Sequence, residues 1–493
     1  MKKILLILIA VFFLVPQVWA ATYNIGPGQT YETFAALLVG ETITDNDIVD
    51  GGGNTFREEW NLPTNTGSSG NPVILQNATI LGSDDFIGVS GDWVDQGSNV
   101  WRKNIGTTEP LVVTFNTALR GVNDATPASA GEWTYSSPNL DVYSETNPAT
   151  YYTAIEAAQR GRCVNIIGAS YATIKNITGK TVNNDVFSFN DTSEVHIENC
   201  GGYYADAATN SNVFTSHDSA IVTGNNIIAK YCEIAVAFVG ASATIDGMVI
   251  SDSSIGFDPG TGIHIYKNYT VTDCVSKAIR SSGTTSGNTA LLVGGEVRNC
   301  DKVLSTEGTT TLELTINGLT GYGSDNIAIH LSGANTTTKI YNLSLQHNAN
   351  SNGIYAAANT NLELYNSAID ISTVRYALYV DATATYTGDY NYFNSASGNV
   401  TWHNSNCTTI AAHRTAFSAD ANSDFIDPEF LSSGKILKTS PCIDTGAWID
   451  TINNTGTADP WGKYVHKIPN IGADQGAGAP KGGGRMLLTG NKL

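Results

Sequence analysis

Apolar positions recur through the middle of the chain at a nearly constant interval. Short apolar segments lie at Phe187, Phe214 and onward to Leu378, and successive segments are 21 to 27 residues apart. Within each interval apolar and polar residues alternate, as in residues 312–316 with the sequence LELTI. A period of two predicts short β-strands, and helical periodicity is absent from these segments.

A second series of positions keeps step with the first. Its members are mostly Asn, with Gly or Asp at a few positions, and they also lie 21 to 27 residues apart. A sharp corner between strands requires a positive φ, which Asn and Gly tolerate, and stacked Asn amides can bond to one another. We therefore predict a ladder of structural corner residues at Asn176, Asn199, Asn226, Gly247, Asn268, Gly295, Asn317, Asn342, Asn366 and Asp389.

A repeating unit this short cannot bury its apolar side by itself. Successive units must stack coil on coil, which brings parallel strands about 4.8 Å apart. The stacked coils then enclose one continuous core, and hydrophobic residues make up 41% of the chain, enough to fill it. The repeat predicts an all-β fold, a parallel β-helix, with its core in residues 161–400.

The repeat and its two flanks resemble the right-handed parallel β-helix proteins of the pectate-lyase superfamily. Residues 22–53 are similar to the entry cap of that group, in which a short amphipathic helix, here at Phe34 and Leu37, covers the open end of the core. The phrases DPEF, SPCIDTG and PNIGADQ are similar to its closing segment. The resemblance implies a right-handed β-helix, while the catalytic motifs of polygalacturonase-like and pectate-lyase-like members are missing from this sequence.

Breaks in the repeat divide the chain into six predicted segments. Residues 92–160 interrupt the pattern and contain Trp93, Trp101 and Trp133, which predicts a small β subdomain on the side of the solenoid or a carbohydrate platform. The segments are a signal peptide (1–20), an N-terminal cap with the first coils (21–91), the Trp-rich β insert (92–160), the β-helix core (161–400), a C-terminal closing segment (401–476) and a Gly-rich tail (477–493).

The first residues predict export. Lys2 and Lys3 precede an apolar run from Ile4 to Val15, and Ala20 ends a small-residue motif typical of signal-peptide cleavage. The run has 12 residues, whereas a membrane-spanning helix needs about 20. We therefore expect a secreted or cell-surface protein without a membrane span.

The net charge of the chain limits the classes of molecule that it is expected to bind. The net charge is −19, although only 14% of the residues are charged. Nucleic acids and anionic membranes carry the same sign, which argues against both as partners. Ca²⁺ and neutral or cationic polysaccharides are compatible with this charge. Motifs for nucleotide binding, zinc-dependent proteolysis and serine hydrolysis are absent from the sequence.

The chain has seven cysteines, an odd number. Cys232, Cys274 and Cys300 end similar local patterns, which indicates that they stack in the solenoid. A large core needs no disulfide framework, so buried free thiols are the favoured interpretation. Cys407 and Cys442 are the one pair for which a bridge stays open.

Candidate catalytic residues follow from the direction of the side chains. Where Phe187 and its equivalents point inward, the next residue of each coil points outward, and so does the residue two positions further on. These two outward rows bring ionisable side chains together on coils about 5 Å apart. The predicted catalytic residues are Arg280, Asp258, Glu307 and His330, with His217 towards the N-terminal side.

The residue types suggest roles for this set. Arg280 can neutralise the carboxylate of a sugar acid or, with a demanding pKa shift, act as a base in β-elimination. A histidine is the easier base at neutral pH. The alternative is that Arg280 and Asp258 form a surface ion pair of small energetic consequence.

Asp191 and Asp218 are the predicted metal ligands. The phrases that contain them align at an offset of 27 residues, so the two carboxylates are expected on neighbouring coils. Two carboxylates on neighbouring coils repel each other unless a cation lies between them, and Ca²⁺ favours oxygen ligands of this kind. The alternative is that both are turn residues whose side chains splay apart in solvent.

Together these features favour a secreted carbohydrate-active protein that binds a polysaccharide and cleaves it as a lyase or a glycoside hydrolase. Long parallel strands form a ruled surface, on which an aromatic row such as Tyr355 and Tyr379 can stack on sugar faces. The alternatives are a non-catalytic surface, adhesion or spacer solenoid and a glycan-binding spike. The low charge and the Thr- and Asn-rich surface suit either class.

Overall fold

The computed structural model describes residues 20–116, 119–168, 170–191, 193–205, 211–282, 288–307, 312–322, 328–333, 336–347, 351–372, 375–430, 440–442 and 445. Their architecture is a right-handed parallel β-solenoid of about 14 turns. Among these residues, 18 strands form sheet A and 13 strands form sheet B. The predicted all-β parallel β-helix is therefore confirmed.

The elements have the following bounds. Sheet A consists of Thr22–Asn24, Ile48–Asp50, Thr55–Phe56, Val73–Leu81, Tyr171–Lys180, Glu194–Glu198, Gly201–Tyr203, Ile221–Lys230, Ala241–Ser251, Gly262–Thr272, Asn288–Arg298, Leu312–Tyr322, Thr337–Tyr341, Ser344–His347, Asn361–Tyr365, Ala368–Ile371, Thr385–Asp389 and Tyr392–Ser395. Sheet B consists of Trp60–Leu62, Val164–Ile166, Phe187–Phe189, Asn212–Ser216, Ile234–Phe238, Ile255–Pro259, Lys277–Ser281, Lys302–Thr306, Ile329–Leu331, Ile354–Ala356, Leu378–Val380, Thr401–Trp402 and Asn406–Cys407. A four-stranded sheet holds Ser83–Asp85, Val113–Phe115, Leu119–Arg120 and Ile155–Ala158, and a five-stranded sheet holds Val94–Gly97, Val100–Asn104, Val122–Asn123, Glu132–Ser136 and Asn139–Tyr143. In the described part of the chain the helices are Phe34–Gly40, Pro148–Tyr151 and Ile410–Phe417, with a 3₁₀ turn at Ser90–Asp92.

The core of the solenoid is made of side chains that repeat in register from coil to coil. Phe187 pairs with Phe214 in sheet B, and their rings stack 4.7 Å apart with 6° between the ring planes. In sheet A, Ile174 and Ile197 are register partners and both are fully buried. A single coil cannot bury this apolar surface. Each coil therefore stabilises the next by covering its apolar side chains.

Sheet A bends at one residue per coil, and this residue has a left-handed backbone. Strand pairing continues on both sides of the bend, so the corner residues stack in register. The Nδ2 group of Asn342 donates to Oδ1 of Asn317 at 2.7 Å, an amide contact between coils. The corner residues, with φ from 51° to 80°, are Asn77, Asn176, Asn199, Asn226, Gly247, Asn268, Gly294, Gly318, Asn342, Asn366 and Tyr390.

Three of the predicted corner positions are wrong by one residue. In the pair Asn317-Gly318 the corner falls on Gly318, because glycine adopts a positive φ at lower energetic cost than Asn. Asp389 instead accepts hydrogen bonds from the backbone N–H groups of Tyr390 and Asn422. The corrected corners are Gly318 in place of Asn317, Gly294 in place of Gly295, and Tyr390 in place of Asp389.

A second left-handed column lies at the other end of the sheet A strands, and the sequence analysis did not predict it. The rings of Tyr204 and Tyr231 in this column stack 4.8 Å apart with 4° between their planes. Nδ2 of Asn299 donates to Oδ1 of Asp273 at 3.2 Å. The column, with φ from 50° to 61°, consists of Thr181, Tyr204, Tyr231, Asp252, Asp273 and Asn299.

The helix Phe34–Gly40 packs on the core beside the first strands. Thr33 is the N-cap of this helix, and its hydroxyl accepts a hydrogen bond from the backbone N–H of Ala36 at 3.0 Å. Phe34 is buried and its ring stacks on Trp60, 5.1 Å away. The cap and the six segment boundaries stay predictions.

Residues 83–158 form a region with its own apolar cluster, which includes the buried Trp93 and Trp133. Arg57 from the first coils donates to both carboxylate oxygens of the buried Glu156, at 2.5 and 2.6 Å. Asn183 donates to the carbonyl of Glu109 at 3.0 Å. These contacts hold this region against the first coils of the solenoid.

Some predictions fall outside the described residues. The predicted signal peptide lies outside them except for Ala20, as do the phrase PNIGADQ and the Gly-rich tail. None of the helices in the described ranges is long and apolar enough to cross a membrane.

Candidate functional site

One row of residues on the outer side of sheet B runs along the solenoid from its first coils to its last. Its members are partners in consecutive strands, so neighbours lie one strand spacing, about 4.8 Å, apart. We call this row the outer strip. It consists of Asn61, Asn165, Ser188, Thr215, Ala237, Asp258, Arg280, Ser305, His330, Tyr355, Tyr379 and Trp402.

The middle of the outer strip contains a buried ion pair. Asp258 is 2% exposed, and its carboxylate accepts hydrogen bonds from Arg280 Nε at 2.8 Å and Ser282 Oγ at 2.6 Å. A buried carboxylate needs such partners to replace lost water, and both come from the next coil. Among the described residues Arg280 donates through Nε alone, and its side chain is 22% exposed. The guanidinium group can therefore still meet a ligand.

A second ion pair lies beside the first. Lys277 Nζ is 2.5 Å from Glu307 Oε1, and the hydroxyl of Ser305 donates to the same oxygen at 3.0 Å. Burial by itself raises the pKa of Glu307, but the hydrogen bonds from Lys277 and Ser305 and the charge of Arg280 outweigh it, and the pKa lies below its ordinary value. Glu307 is therefore a carboxylate at neutral pH, which suits a base or an electrostatic role and not a general acid.

His330 is the next ionisable group of the outer strip. Burial lowers its pKa, the positive charges of Lys302 and Lys277 add to this effect, and Glu307 opposes it. The imidazole is therefore neutral at pH 7 and able to accept a proton. These ion pairs and electrostatic effects link six ionisable side chains, which we call the ionic cluster: Asp258, Lys277, Arg280, Lys302, Glu307 and His330.

The C-terminal end of the outer strip is aromatic. The ring of Tyr355 lies 5.3 Å from His330 and 5.1 Å from Tyr379, and Tyr379 stacks on Trp402 at 5.7 Å with 6° between the ring planes. Tyr376 packs beside both, 5.8 Å from Tyr379 and 5.6 Å from Trp402. All four are partly exposed. We call Tyr355, Tyr376, Tyr379 and Trp402 the aromatic ramp.

His217 does not join the ionic cluster. It is exposed, and its Nε2 atom is 3.3 Å from Oγ1 of Thr215. Thr215 precedes Arg280 by three strand spacings in the outer strip, which is about 14 Å. His217 therefore cannot relay a proton directly to a group bound at Arg280.

Near His217 the structure contains an ionisable group that the sequence analysis missed. Asp185 is 4% exposed and accepts hydrogen bonds from the backbone N–H and the Nδ2 group of Asn212, at 3.0 and 3.1 Å. Burial raises its pKa, although Asn212, Arg162 and His217 act in the opposite direction. Burial also raises the pKa of Glu59, and the positive charge of Arg162 opposes this rise. Asp185 lies before the strand Phe187–Phe189, whereas the two predicted outward rows contain only residues that follow the inward position Phe187 and its equivalents.

Asp191 and Asp218 lie on consecutive coils, two residues after the register partners Phe189 and Ser216. Both are exposed turn residues with left-handed φ values of 59° and 63°. Within the described ranges, no group of three or more His, Cys, Asp and Glu side chains is placed to hold a metal ion. The turn conformation accounts for both residues without a metal, and Ca²⁺ stays a prediction.

The arrangement combines two kinds of chemistry on one surface. The ionic cluster offers a partly exposed guanidinium, a carboxylate and a neutral imidazole, which can bind an anion or a hydroxyl group and accept a proton. The aromatic ramp begins directly beside it, because Tyr355 contacts His330. Four members of the ionic cluster were predicted from the sequence, whereas Lys277, Lys302, Tyr376 and Trp402 were not.

Comparisons with known proteins bear on the fold. No protein-family profile and no curated protein matches the chain. A solved structure described as "The complex structure of XylC with xylose" is similar to it, with a TM-score of 0.56 and 10% identity over 92% of this chain and 98% of that chain. A structure described as a glycoside hydrolase has a TM-score of 0.34 and 10% identity over 80% of this chain and 98% of that chain. The parallel β-helix fold that the sequence resemblance implied is confirmed.

Proposed function

We propose that this protein is a secreted, carbohydrate-active β-helix protein that binds a polysaccharide along the part of the outer strip from Arg280 to Trp402. The ionic cluster is then the candidate catalytic centre of a lyase or glycoside hydrolase. The aromatic ramp holds the part of the glycan that extends towards the C-terminal coils.

The observation that carries this proposal is the unbroken register from Arg280 to Trp402. Six consecutive positions cover about 24 Å, and five of them carry ionisable or aromatic side chains, while the sixth is the buried Ser305. A linear polymer of sugars meets such a surface along its length, with ring faces on the aromatic side chains. The similar fold of a structure described with bound xylose is compatible with a sugar ligand.

In this proposal the ionic cluster acts on the bond next to the aromatic ramp. Arg280 binds a carboxylate or hydroxyl oxygen, while Asp258 fixes its orientation through Nε. His330 or Glu307 accepts the proton that is removed from the sugar or from an attacking water. His217, which lies outside the ionic cluster, has no part in this step.

The second candidate function is glycan binding without cleavage, in a surface or spacer protein. The observation in its favour is that Asp258 pairs with Arg280 and Glu307 pairs with Lys277, so both carboxylates of the ionic cluster already have partners. Such pairs can serve only to hold adjacent coils in register. The aromatic ramp keeps its role in both candidate functions.

Binding is tested first, with purified protein on a panel of neutral and acidic polysaccharides. We expect at least one glycan to retard the protein in affinity electrophoresis, and Trp402→Ala to weaken this interaction. Tyr365→Ala is the matched control, because Tyr365 also stacks on a neighbouring tyrosine, 5.9 Å away, but lies in sheet A. Equal loss in both variants, or binding by neither wild type nor variants, would contradict the proposed surface.

Cleavage is tested on the glycans that bind. Reducing ends report either reaction, and absorbance by an unsaturated product reports elimination alone. We expect Glu307→Gln to abolish turnover while binding persists. We expect Arg280→Gln to abolish turnover and also to weaken binding, because Arg280 contacts the sugar in this proposal. Glu313→Gln is the control, since Glu313 forms a similar pair with Lys339, at 2.5 Å, on sheet A. Binding without any product would favour the second candidate function.

A further inference from the structure

A column of small polar and sulfur-containing side chains lies buried at the turns that follow the sheet A strands. Cys232 Sγ is 3.3 Å from Ser253 Oγ on the next coil. Cys274 and Cys300 occupy the same place on the two coils that follow. All four residues are at most 2% exposed. The column therefore contains one pair of cysteines on directly adjacent coils.

The backbone holds Cys274 and Cys300 opposite each other. Thr272 and Arg298 are register partners, and each cysteine comes two residues later. The backbone N–H of Asp273 donates to the carbonyl of Arg298 at 3.1 Å, and that of Asp301 donates to the carbonyl of Cys274 at 3.2 Å. Register partners in adjacent parallel strands lie about 4.8 Å apart, which falls within the Cα separation that a disulfide requires.

The sulfur atom of Cys300 also contacts the backbone of Cys274. The backbone N–H of Cys274 donates to Sγ of Cys300 at 3.4 Å. Each thiol donates to the carbonyl two residues earlier, at 3.8 Å for Cys274 and 3.3 Å for Cys300. Both are free thiols in the structure. Disulfide formation therefore requires the loss of the two thiol hydrogens and a rotation of the side chains, whereas the backbone register is already in place.

We propose that Cys274 and Cys300 are a redox-active pair that forms a disulfide between adjacent coils under oxidising conditions. A thiolate of the pair attacks a low-molecular-weight disulfide such as oxidised glutathione, and one glutathione thiolate leaves. The thiolate of the second cysteine then attacks the mixed disulfide and releases the other glutathione. Two electrons and two protons pass from the protein thiols to the oxidant, which becomes two molecules of reduced glutathione.

Burial decides when this reaction takes place. The exposed fractions of Cys274 and Cys300 are 1% and 2%, so glutathione does not reach them in the folded coil. The disulfide therefore forms while the chain folds or when these turns open. It closes the loop of residues 275–299 and restricts the unfolded chain, which stabilises the solenoid against unfolding.

Cys232 provides the matched control. It lies in the same column, but its neighbour on the next coil is Ser253 and not a cysteine. Burial raises the pKa of Cys232 to about 12, so its thiol is unreactive in the folded state. Cys232→Ser therefore leaves the proposed disulfide intact.

The test refolds the full chain in a buffer of oxidised and reduced glutathione and counts thiols by alkylation in denaturant. We expect five alkylated cysteines out of seven, and one cross-linked peptide pair that joins Cys274 to Cys300. Cys232→Ser should keep this cross-link. Cys300→Ser and Cys274→Ser should each lose it and show six alkylated cysteines. A reductant should lower the Tm of the wild type by several degrees and leave that of Cys300→Ser unchanged.

Seven alkylated cysteines after oxidative refolding would overturn the proposal, as would a cross-link between any other cysteines. Both results come from the wild-type chain, so they do not depend on whether a variant folds. A cross-link without any change of Tm on reduction would overturn the stabilising role alone.

Discussion

Asp258 and Arg280 lie on consecutive coils and form an ion pair, with Arg280 Nε 2.8 Å from Asp258 Oδ2. The carboxylate is almost completely buried and the guanidinium side chain is partly exposed. A pair of this kind has two consequences. It fixes the position of the guanidinium for a ligand, and it makes the carboxylate dependent on its partner.

The first prediction concerns the removal of one partner. Arg280→Ala leaves the buried Asp258 carboxylate without its cation, and we expect a loss of about 3 to 5 kcal/mol in the free energy of unfolding. Asp258→Asn in the same chain should restore part of it, because the amide carries no charge. Chemical denaturation of the single and double variants measures both effects. If Arg280→Ala were as stable as the wild type, water would already compensate the Asp258 carboxylate for the loss of its cation.

The second prediction concerns the aromatic ramp. Trp402→Ala removes one ring from the proposed binding surface, and loss of one stacking contact with a sugar, taken at about 0.5 to 1.5 kcal/mol as for an aromatic pair, corresponds to roughly two- to tenfold weaker glycan binding. Affinity electrophoresis on a glycan that the wild type binds gives the ratio. An unchanged affinity, at an unchanged Tm, would remove Trp402 from the binding surface.

The third prediction concerns the corner ladder. Asn342 has a φ of 54°, a conformation that a β-branched side chain resists, so Asn342→Val should destabilise the protein by about 1 to 3 kcal/mol. The change also removes the amide contact with Asn317. Thr387→Val, on an exposed position within a strand, is the control and should leave the Tm nearly unchanged. Thermal unfolding of both variants is sufficient, and equal Tm values would exclude backbone strain as the cause.

The sequence predicted the fold well because the solenoid repeats the same physical requirement in every coil. Phe187 and its equivalents mark the inward position of each coil. The residue that follows this position points outward, so Asp258 and Arg280 could be placed on the outer side from the sequence alone. The same count failed at the corners, where the choice between Asn317 and Gly318 depends on local backbone energy.

The missed site residues have physical reasons of their own. Trp402 lies one coil after Tyr379, but the apolar pair that marked the earlier coils is replaced there by Val400 and Thr401. Lys277 and Lys302 lie at the starts of their strands and reach the cluster through long side chains. A sequence repeat records the backbone register, whereas it does not record how far a lysine extends.

The fourth prediction concerns acid stability at the C-terminal end of the core. His413 and Asp420 are fully buried, and the His413 Nε2 atom is 2.7 Å from Asp420 Oδ2. Burial by itself raises the pKa of Asp420, but hydrogen bonds and charge from His413 outweigh it and hold the pKa below its ordinary value. The ionised carboxylate thus stabilises the fold above its unfolded-state pKa, and this contribution is lost as the pH falls through the lower folded-state pKa.

Asp420→Asn should therefore flatten the decline of the Tm below about pH 4, although it also lowers the Tm at neutral pH. Thermal unfolding from pH 7 to pH 2 measures the slope. Asp381→Asn, a change at a partly exposed carboxylate of the neighbouring coils, is the control. The same acid slope in wild type and Asp420→Asn would show that other carboxylates govern acid unfolding.

The last prediction has the opposite sign, because burial raises the pKa of Asp185. A carboxyl group that is harder to ionise in the folded state reduces stability as the pH rises through its unfolded pKa towards its folded pKa. Asp185→Asn removes this penalty and keeps an oxygen that accepts the hydrogen bond from the Asn212 backbone. We expect the variant to unfold at a higher Tm than the wild type at pH 7, and the gain to vanish below about pH 4. A lower Tm at pH 7 would show that attraction between Asp185 and Arg162, 3.9 Å away, outweighs the desolvation of the carboxylate.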